Sequence, residues 1–258
     1  MPTPVEHLVI AERILASPVP LTSIHVQLEQ DETVRGAFFF GHIAPDVQVI
    51  SRQPRDATHF FAIPPTNRCP AYERMLTAHP RLAQPSRLSA AQSAFIVGYM
   101  SHLLLDEYWV REVFYPVFGP EQTWSDRRER LLLHNVLRAW LDRRDLPRLR
   151  DGMGGLLRSA RPDDWLPFAA DADLCRWRDL VADQLQPGAA IRTVEIFANR
   201  ARVPDTEFLA LLDPRVMDER VFSHISVAEL ERFHARAVAR THDLTVRYLS
   251  GCAEGESV

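Results

Sequence analysis

The sequence predicts an all-α protein, and three observations support that expectation. Apolar residues recur at three- and four-residue spacing in several long segments. No segment sustains the alternation of a half-buried strand, and most prolines fall between the periodic segments, where they punctuate helices without breaking them. Nothing repeats at a fixed period. The connector over residues 145–167 is too short and too mixed to read as a flexible linker, so a single helical domain over residues 1–250 is expected, with 251–258 as a frayed polar tail.

Residues 5–15 set Val5, Leu8, Ala11, Ile14 and Leu15 at helical spacing before Ser17-Pro18 ends the run, which predicts a short amphipathic helix with His7 in its first turns. Phe38, Phe39 and Phe40 precede Gly41 and Pro45, a pattern suited to a short helix or extended piece that enters a loop reaching Arg55. Pro64, Pro65, Pro70, Pro80 and Pro85 leave room only for a short helix over 71–77. From Ser89, paired with Gln92 as a capping-box candidate, a proline-free run to about residue 114 predicts a long buried helix that Pro116 and Pro120 stop. Ser125 and Asp126 offer the next N-cap, after which Leu131, Leu132, Val136, Leu137, Trp140 and Leu141 keep helical spacing. Residues 145–167 allow only short helices, and further helices are expected over 172–185, 189–198, 206–212 and 227–249.

Composition removes several classes of function. Thirty basic against 34 acidic residues give a net charge of -4, so no nucleic-acid partner is expected. Cys69, Cys175 and Cys252 are odd in number, far apart and never in a C-x-x-C pair, which argues against a disulfide framework and against a thiolate zinc site. No leader peptide is visible, and no apolar run approaches the roughly 20 residues that span a bilayer, so no transmembrane segment is expected. The expected location is the cytoplasm; the oligomeric state is left open.

The sharpest local feature is Gly98-Tyr99-Met100-Ser101-His102-Leu103-Leu104-Leu105-Asp106. His102 and Asp106 stand at i and i+4 on one helix, within reach of one ion, among apolar neighbours that carry the pair into the interior. A buried carboxylate is costly unless paired or metal-bound, although a hydrogen-bonded core pair has the same spacing. Upstream, Pro45-Asp46 supplies a loop carboxylate, and Thr58-His59-Phe60-Phe61 sets a histidine among aromatic residues.

Taken in order, His7, Pro45-Asp46, Thr58-His59-Phe60, Gly98-Tyr99 and His102-x-x-x-Asp106 resemble the bacterial zinc-dependent phospholipase C family, over roughly residues 5–115. The resemblance implies an all-helical domain of that type, and within the expected single domain the metal-site half is placed at about 5–145, with the additional helices read above at about 170–250. It also implies that His59, His102 and Asp106 ligate one zinc and that Asp106 bridges towards a second ion. His7 would help hold the bridged ion, and Asp46 would contact the metal site and act as general base. Two departures separate this chain from the family. The family's secreted members use a first-residue tryptophan as ligand, where this chain begins Met1-Pro2, and the family's later His-x-x-x-Glu is matched here by His134 and Arg138. One or two ions are therefore expected, zinc first, with manganese or iron as alternatives.

The function expected from the resemblance is a metal-dependent phosphoric ester hydrolase, acting on a small phosphoester or phosphodiester or on a phospholipid. The alternative is a non-catalytic helical protein that keeps a metal for stability or partner binding. His42 reads first as a hydrogen-bonded loop histidine and second as an additional ligand, whereas His134 reads equally as ligand or core. His25 with Glu29 has ligand-like spacing outside the matched order, and Glu107 and Glu112 are possible substitute ligands. His79, His224, His234 and His242 are expected to be solvated. The arginines at 192, 200 and beyond are read as solvated helix faces, with an anion-binding face as the second reading.

Overall fold

In a computed structural model of the chain, residues 1–17, 27–65, 69–124, 126–186, 188 and 192–250 are described, and every regular element within them is helical. His25, Ser125 and residues 251–258 lie outside the described residues. Thr3 opens α1 (Pro4–Leu15) by accepting the Glu6 amide on its side-chain oxygen, and Pro4 begins the helix where a missing amide hydrogen costs nothing. Val5 through Ala11 and Ile14 are all buried, so α1 runs through the interior and is not the amphipathic surface helix expected. Asp31 caps α2 (Glu32–Gly41) through the amides of Thr33 and Val34, and the three phenylalanines form the last turns of this ten-residue helix.

Where a loop was expected, the chain forms a 3-10 turn (Ala44–Val47), a helical turn (Gln48–Ser51) and α3 (Arg55–His59). After α4 (Ala71–Ala78), Ser89 caps α5 (Ala90–Tyr108) by accepting the Gln92 amide at 3.1 Å. Residues 93–107 of α5 are buried without interruption, because its apolar residues leave no polar stripe to face water. The backbone widens into a π-helical turn (Trp109–Phe114) and returns to α geometry over Tyr115–Phe118. Pro116 is thus contained within helix, and the ending falls at Gly119.

Asp126 caps α6 (Arg127–Asp145), and α7 (Met153–Ser159), α8 (Asp171–Gln184), α9 (Thr193–Ala201) and α10 (Asp205–Ala210) follow. An unexpected helix, α11 (Pro214–Arg220), starts where Asp213 caps and Pro214 takes the first turn. Ser226 and Glu229 form a reciprocal capping box for α12 (Val227–Leu249).

The closest meeting of elements is α2 against α5, and two glycines allow it. A Cβ on Gly98 would stand 2.3 Å from the Phe38 carbonyl oxygen, and one on Gly41 would stand 2.1 Å from that of Phe95. With no side chain at either point the two backbones touch, which brings His42, just past the end of α2, against the middle of α5. α1 packs on α5, α6 and α12, and Trp177 of α8 donates to the Ile43 carbonyl at 2.7 Å, pinning the start of the Ala44–Val47 turn. Buried apolar side chains form one continuous cluster from Leu8 to Tyr248.

Candidate metal centre

Four elements bring the candidate ligands together: α1 supplies His7, the 3-10 turn supplies Asp46, α3 ends on His59, and α5 carries His102 and Asp106. His7, His59, His102 and Asp106 are almost completely buried. His59 Nε2 lies 3.3 Å from His102 Nε2, 3.4 Å from Asp106 Oδ2 and 3.5 Å from Asp46 Oδ1, and His102 Nε2 lies 3.7 Å from Asp106 Oδ2. Four ligands about 2.0–2.1 Å from one zinc ion in a tetrahedron stand about 3.3–3.4 Å apart. His7 Nε2 approaches the other Asp106 oxygen at 3.4 Å, and its ring stacks on that of His102 at 3.8 Å.

The outward ring nitrogens explain which atoms face the centre. His102 Nδ1 donates to the His42 carbonyl at 2.7 Å, which leaves its Nε2 as a lone pair. Thr58 Oγ1 donates to the Arg55 carbonyl and so accepts from His59 Nδ1 at 3.0 Å, leaving Nε2 of that ring as a lone pair too. Tyr99 fixes the same corner by donating to the Thr58 carbonyl at 2.6 Å. His59 Nε2 and His102 Nε2, 3.3 Å apart, are close enough to share a proton or a metal cation.

The electrostatics point the same way. Burial disfavours charge on His102, but Asp106, by proximity and hydrogen bonding, and Asp46 overcome this and raise its pKa. Burial also opposes ionisation of Asp106, yet His102, His7 and His59 hold it well below the usual carboxylate range. Asp46 follows the same pattern, with His59 and His102 outweighing burial and bringing its pKa to about 2. His7 goes the other way, to about 4, because burial and the neighbouring His102 disfavour its cation. Arg55 supplies one positive charge, its guanidinium 2.8 Å from Asp106 Oδ2. Asp106 Oδ1 and His7 Nε2, 3.4 Å apart, nevertheless remain buried without a formed hydrogen bond, and a divalent ion between them would partner both; His7 Nδ1 is also unpartnered, on the other side of the ring. The nitrogen and oxygen donor set fits zinc.

The remaining predicted residues fall elsewhere. His42 contributes its carbonyl to His102, while its ring donates to the Phe38 carbonyl at 3.0 Å, and burial pushes its pKa to about 3. His134 accepts from the Trp109 indole at 3.0 Å among Phe114 and Phe118, and burial holds it neutral. Glu107 accepts the Ala71 amide and Glu112 pairs with Arg236 and Arg240, so both substitutes are committed elsewhere.

His234 and His242 are buried, contrary to expectation, because they fall on the inward face of α12. His234 Nε2 meets Glu6 at 2.5 Å beside Asp145, a third group of ligand-type atoms that the sequence reading missed. Asp145 is clamped by Arg144 and by Arg148 at 2.8 Å, whereas Glu6 meets His234 alone, and the cluster ties α1 to α6 and α12. Arg55 was missed as well, since nothing local in the sequence places it against Asp106.

Asp46, partly exposed, forms the boundary between this centre and a cleft of about 350 Å³ bounded by the first residues of the chain and by α6, α8 and α9. Trp177, Val181 and Phe197 give the cleft apolar walls, and Arg138, Arg192 and Arg200 give it charge. Among the described residues no helix is long and apolar enough to cross a membrane. Compared with models of protein families, with curated proteins and with solved structures, the chain matches none, so the argument for function rests on this geometry and the residues that make it.

Proposed function

We propose that the protein is a zinc-dependent hydrolase of phosphoric esters, resembling the zinc-dependent phospholipases C in its ligand set. The observation behind this reading is that His59 Nε2 stands 3.3–3.5 Å from His102, Asp106 and Asp46, with His102 3.7 Å from Asp106, in a buried pocket that opens on a cleft through Asp46 alone of the four. A divalent ion held there supplies a Lewis acid for a phosphoryl oxygen and lowers the pKa of water at the site. His59 and His102 present neutral nitrogens because Thr58 and the His42 carbonyl fix their tautomers. Asp106 neutralises part of the ion's charge and is oriented by Arg55 and His7. Asp46, ionised at neutral pH and reaching the cleft, orients the attacking water and receives its proton. A small phosphodiester, a phosphomonoester and a phospholipid headgroup all fit this chemistry.

The second reading, a structural metal without turnover, draws on Arg55. A guanidinium 2.8 Å from Asp106 already offsets one carboxylate, which lessens the demand for a catalytic cation. The two readings separate on purified protein by elemental analysis together with turnover of bis(p-nitrophenyl) phosphate. The hydrolase reading expects about one or two zinc ions per chain and turnover lost in His102→Ala. Stoichiometric zinc without turnover selects the structural reading, and a protein that takes up no zinc, manganese or iron removes both.

A further inference from the structure

The cleft beside Asp46 contains two guanidinium groups that the proposed chemistry leaves unused. Arg138 of α6 and Arg200 of α9 both approach the Phe197 ring, their guanidinium carbons 4.4 Å and 6.0 Å from its centroid. Among the described residues neither forms an ion pair with a carboxylate. Arg138 donates to Asn135 Oδ1 at 3.1 Å, and its Nε is buried with no hydrogen-bond partner. The charged form is disfavoured on both counts that matter: burial, and repulsion from Arg200, bring the Arg138 pKa down to about 10. Asp142, one turn along α6, relieves this only in part. Its oxygens accept from Thr3 and Thr193, and burial raises its pKa to about 7, so it is only partly ionised near neutrality. Two neighbouring cations around one ring, one with an orphaned buried donor, make a site that an anion would complete. The chain contains no lysine, so the groups available are planar forks suited to phosphate or carboxylate oxygens.

We propose that Arg138 and Arg200 form an anion subsite, separate from the metal centre, that receives a second acidic group of the substrate. The class it selects is phosphoesters that carry a further phosphate or carboxylate. The scissile group faces Asp46, the second anion reaches the α6–α9 side, and Trp177 and Val181 line the wall of the same cleft. This assignment of substrate class rests on the hydrolase reading, whereas the anion subsite itself does not.

The test is calorimetric titration with inorganic phosphate, first on protein freed of metal by chelation. Wild type should bind one phosphate per chain. Arg138→Gln and Arg200→Gln should each weaken binding about tenfold, the loss expected for one charge-assisted hydrogen-bonding group of 1.5 kcal/mol or so. Arg215→Gln, an exposed arginine away from the cleft, should bind as wild type does. Protein reloaded with zinc should take two phosphates, and the double variant Arg138→Gln/Arg200→Gln one. If Arg138→Gln fails to fold, Arg200→Gln at the exposed rim decides alone. Absence of phosphate binding to metal-free wild type, or equal binding by wild type and Arg200→Gln, overturns the subsite even if zinc and turnover are present. Conversely, arginine-dependent phosphate binding in a protein that takes up no metal retains the subsite while the hydrolase reading falls.

Discussion

Two glycine-to-alanine substitutions should move stability in opposite directions, and the structure supplies both signs. At Gly98 the new methyl group would stand 2.3 Å from the Phe38 carbonyl oxygen and 2.9 Å from the His42 amide nitrogen and ring Nδ1. The first two are backbone atoms that no rotamer change can move, so α2 must shift away from α5 by about 1 Å to restore ordinary contact. Overpacking of this kind costs about 3 kcal/mol, and alanine returns about 1 kcal/mol of helix propensity, leaving Gly98→Ala about 2 kcal/mol less stable. At Gly155, exposed on α7, a methyl group meets nothing within 4 Å, so Gly155→Ala should be about 1 kcal/mol more stable. Urea unfolding followed by circular dichroism on metal-free protein reads both. The displaced His42 carbonyl also loosens His102, so zinc affinity in Gly98→Ala should fall about 10- to 100-fold while Gly155→Ala keeps the wild-type value. A Gly98→Ala protein as stable as wild type would show that α2 and α5 do not meet as described.

Chelation should lower the melting temperature, because an ion at a thousand times its dissociation constant adds about 4 kcal/mol; an unchanged melting temperature counts against any metal at the centre. In metal-free protein, acid should destabilise through His7 and His42, whose folded pKa values of about 4 and about 3 lie below the unfolded value of 6.5. The unfolded chain then takes protons first, so between pH 6.5 and 4 each histidine removes about 3 kcal/mol. Asp142 works the other way: its folded pKa of about 7 exceeds the unfolded 3.8, so acidification over this window returns about 3 kcal/mol. Asp142→Asn should therefore lose about 3 kcal/mol more than wild type over this window, as read from urea midpoints at the two pH values; equal losses would refute the assignment to Asp142. Replacing His134 with leucine leaves the Trp109 indole without its acceptor and should cost about 1–3 kcal/mol while zinc content stays the same; loss of zinc would make His134 a ligand after all.

Helices with strong ends were readable in advance. Ser89 and Asp126 both cap where their residue types suggested, and the proline-free run after Ser89 did become a long buried helix. The harder cases had conflicting local signals. His234 lies between Arg232 and Arg236, which suggested solvent, yet Leu230, Phe233, Ala237 and Thr241 place position 234 on the buried stripe of α12. Periodicity was the better guide there. Pro116 looked like a stop, but the chain passes through a wider π-helical turn immediately before it and the helix ends only at Gly119. The Arg55–Asp106 contact and the Trp109–His134 hydrogen bond join distant parts of the chain, and no spacing rule anticipates either.

The charge balance of the centre bears on whether it would hold a cation. Asp46 and Asp106 bring two negative charges into a pocket where Arg55 offers one positive charge and His7 is held neutral. One further positive charge on His102 would bring the sum to zero, yet it would not reach the other Asp106 oxygen, which faces His7 Nε2 at 3.4 Å without a formed hydrogen bond. A divalent ion between Asp106 Oδ1 and His7 Nε2 would satisfy the charge and partner both atoms at once, whereas a proton on His102 satisfies only the charge. That difference is why these two atoms, more than the histidine and aspartate spacing that first drew attention to them, make zinc uptake by the purified protein the measurement that tests the centre.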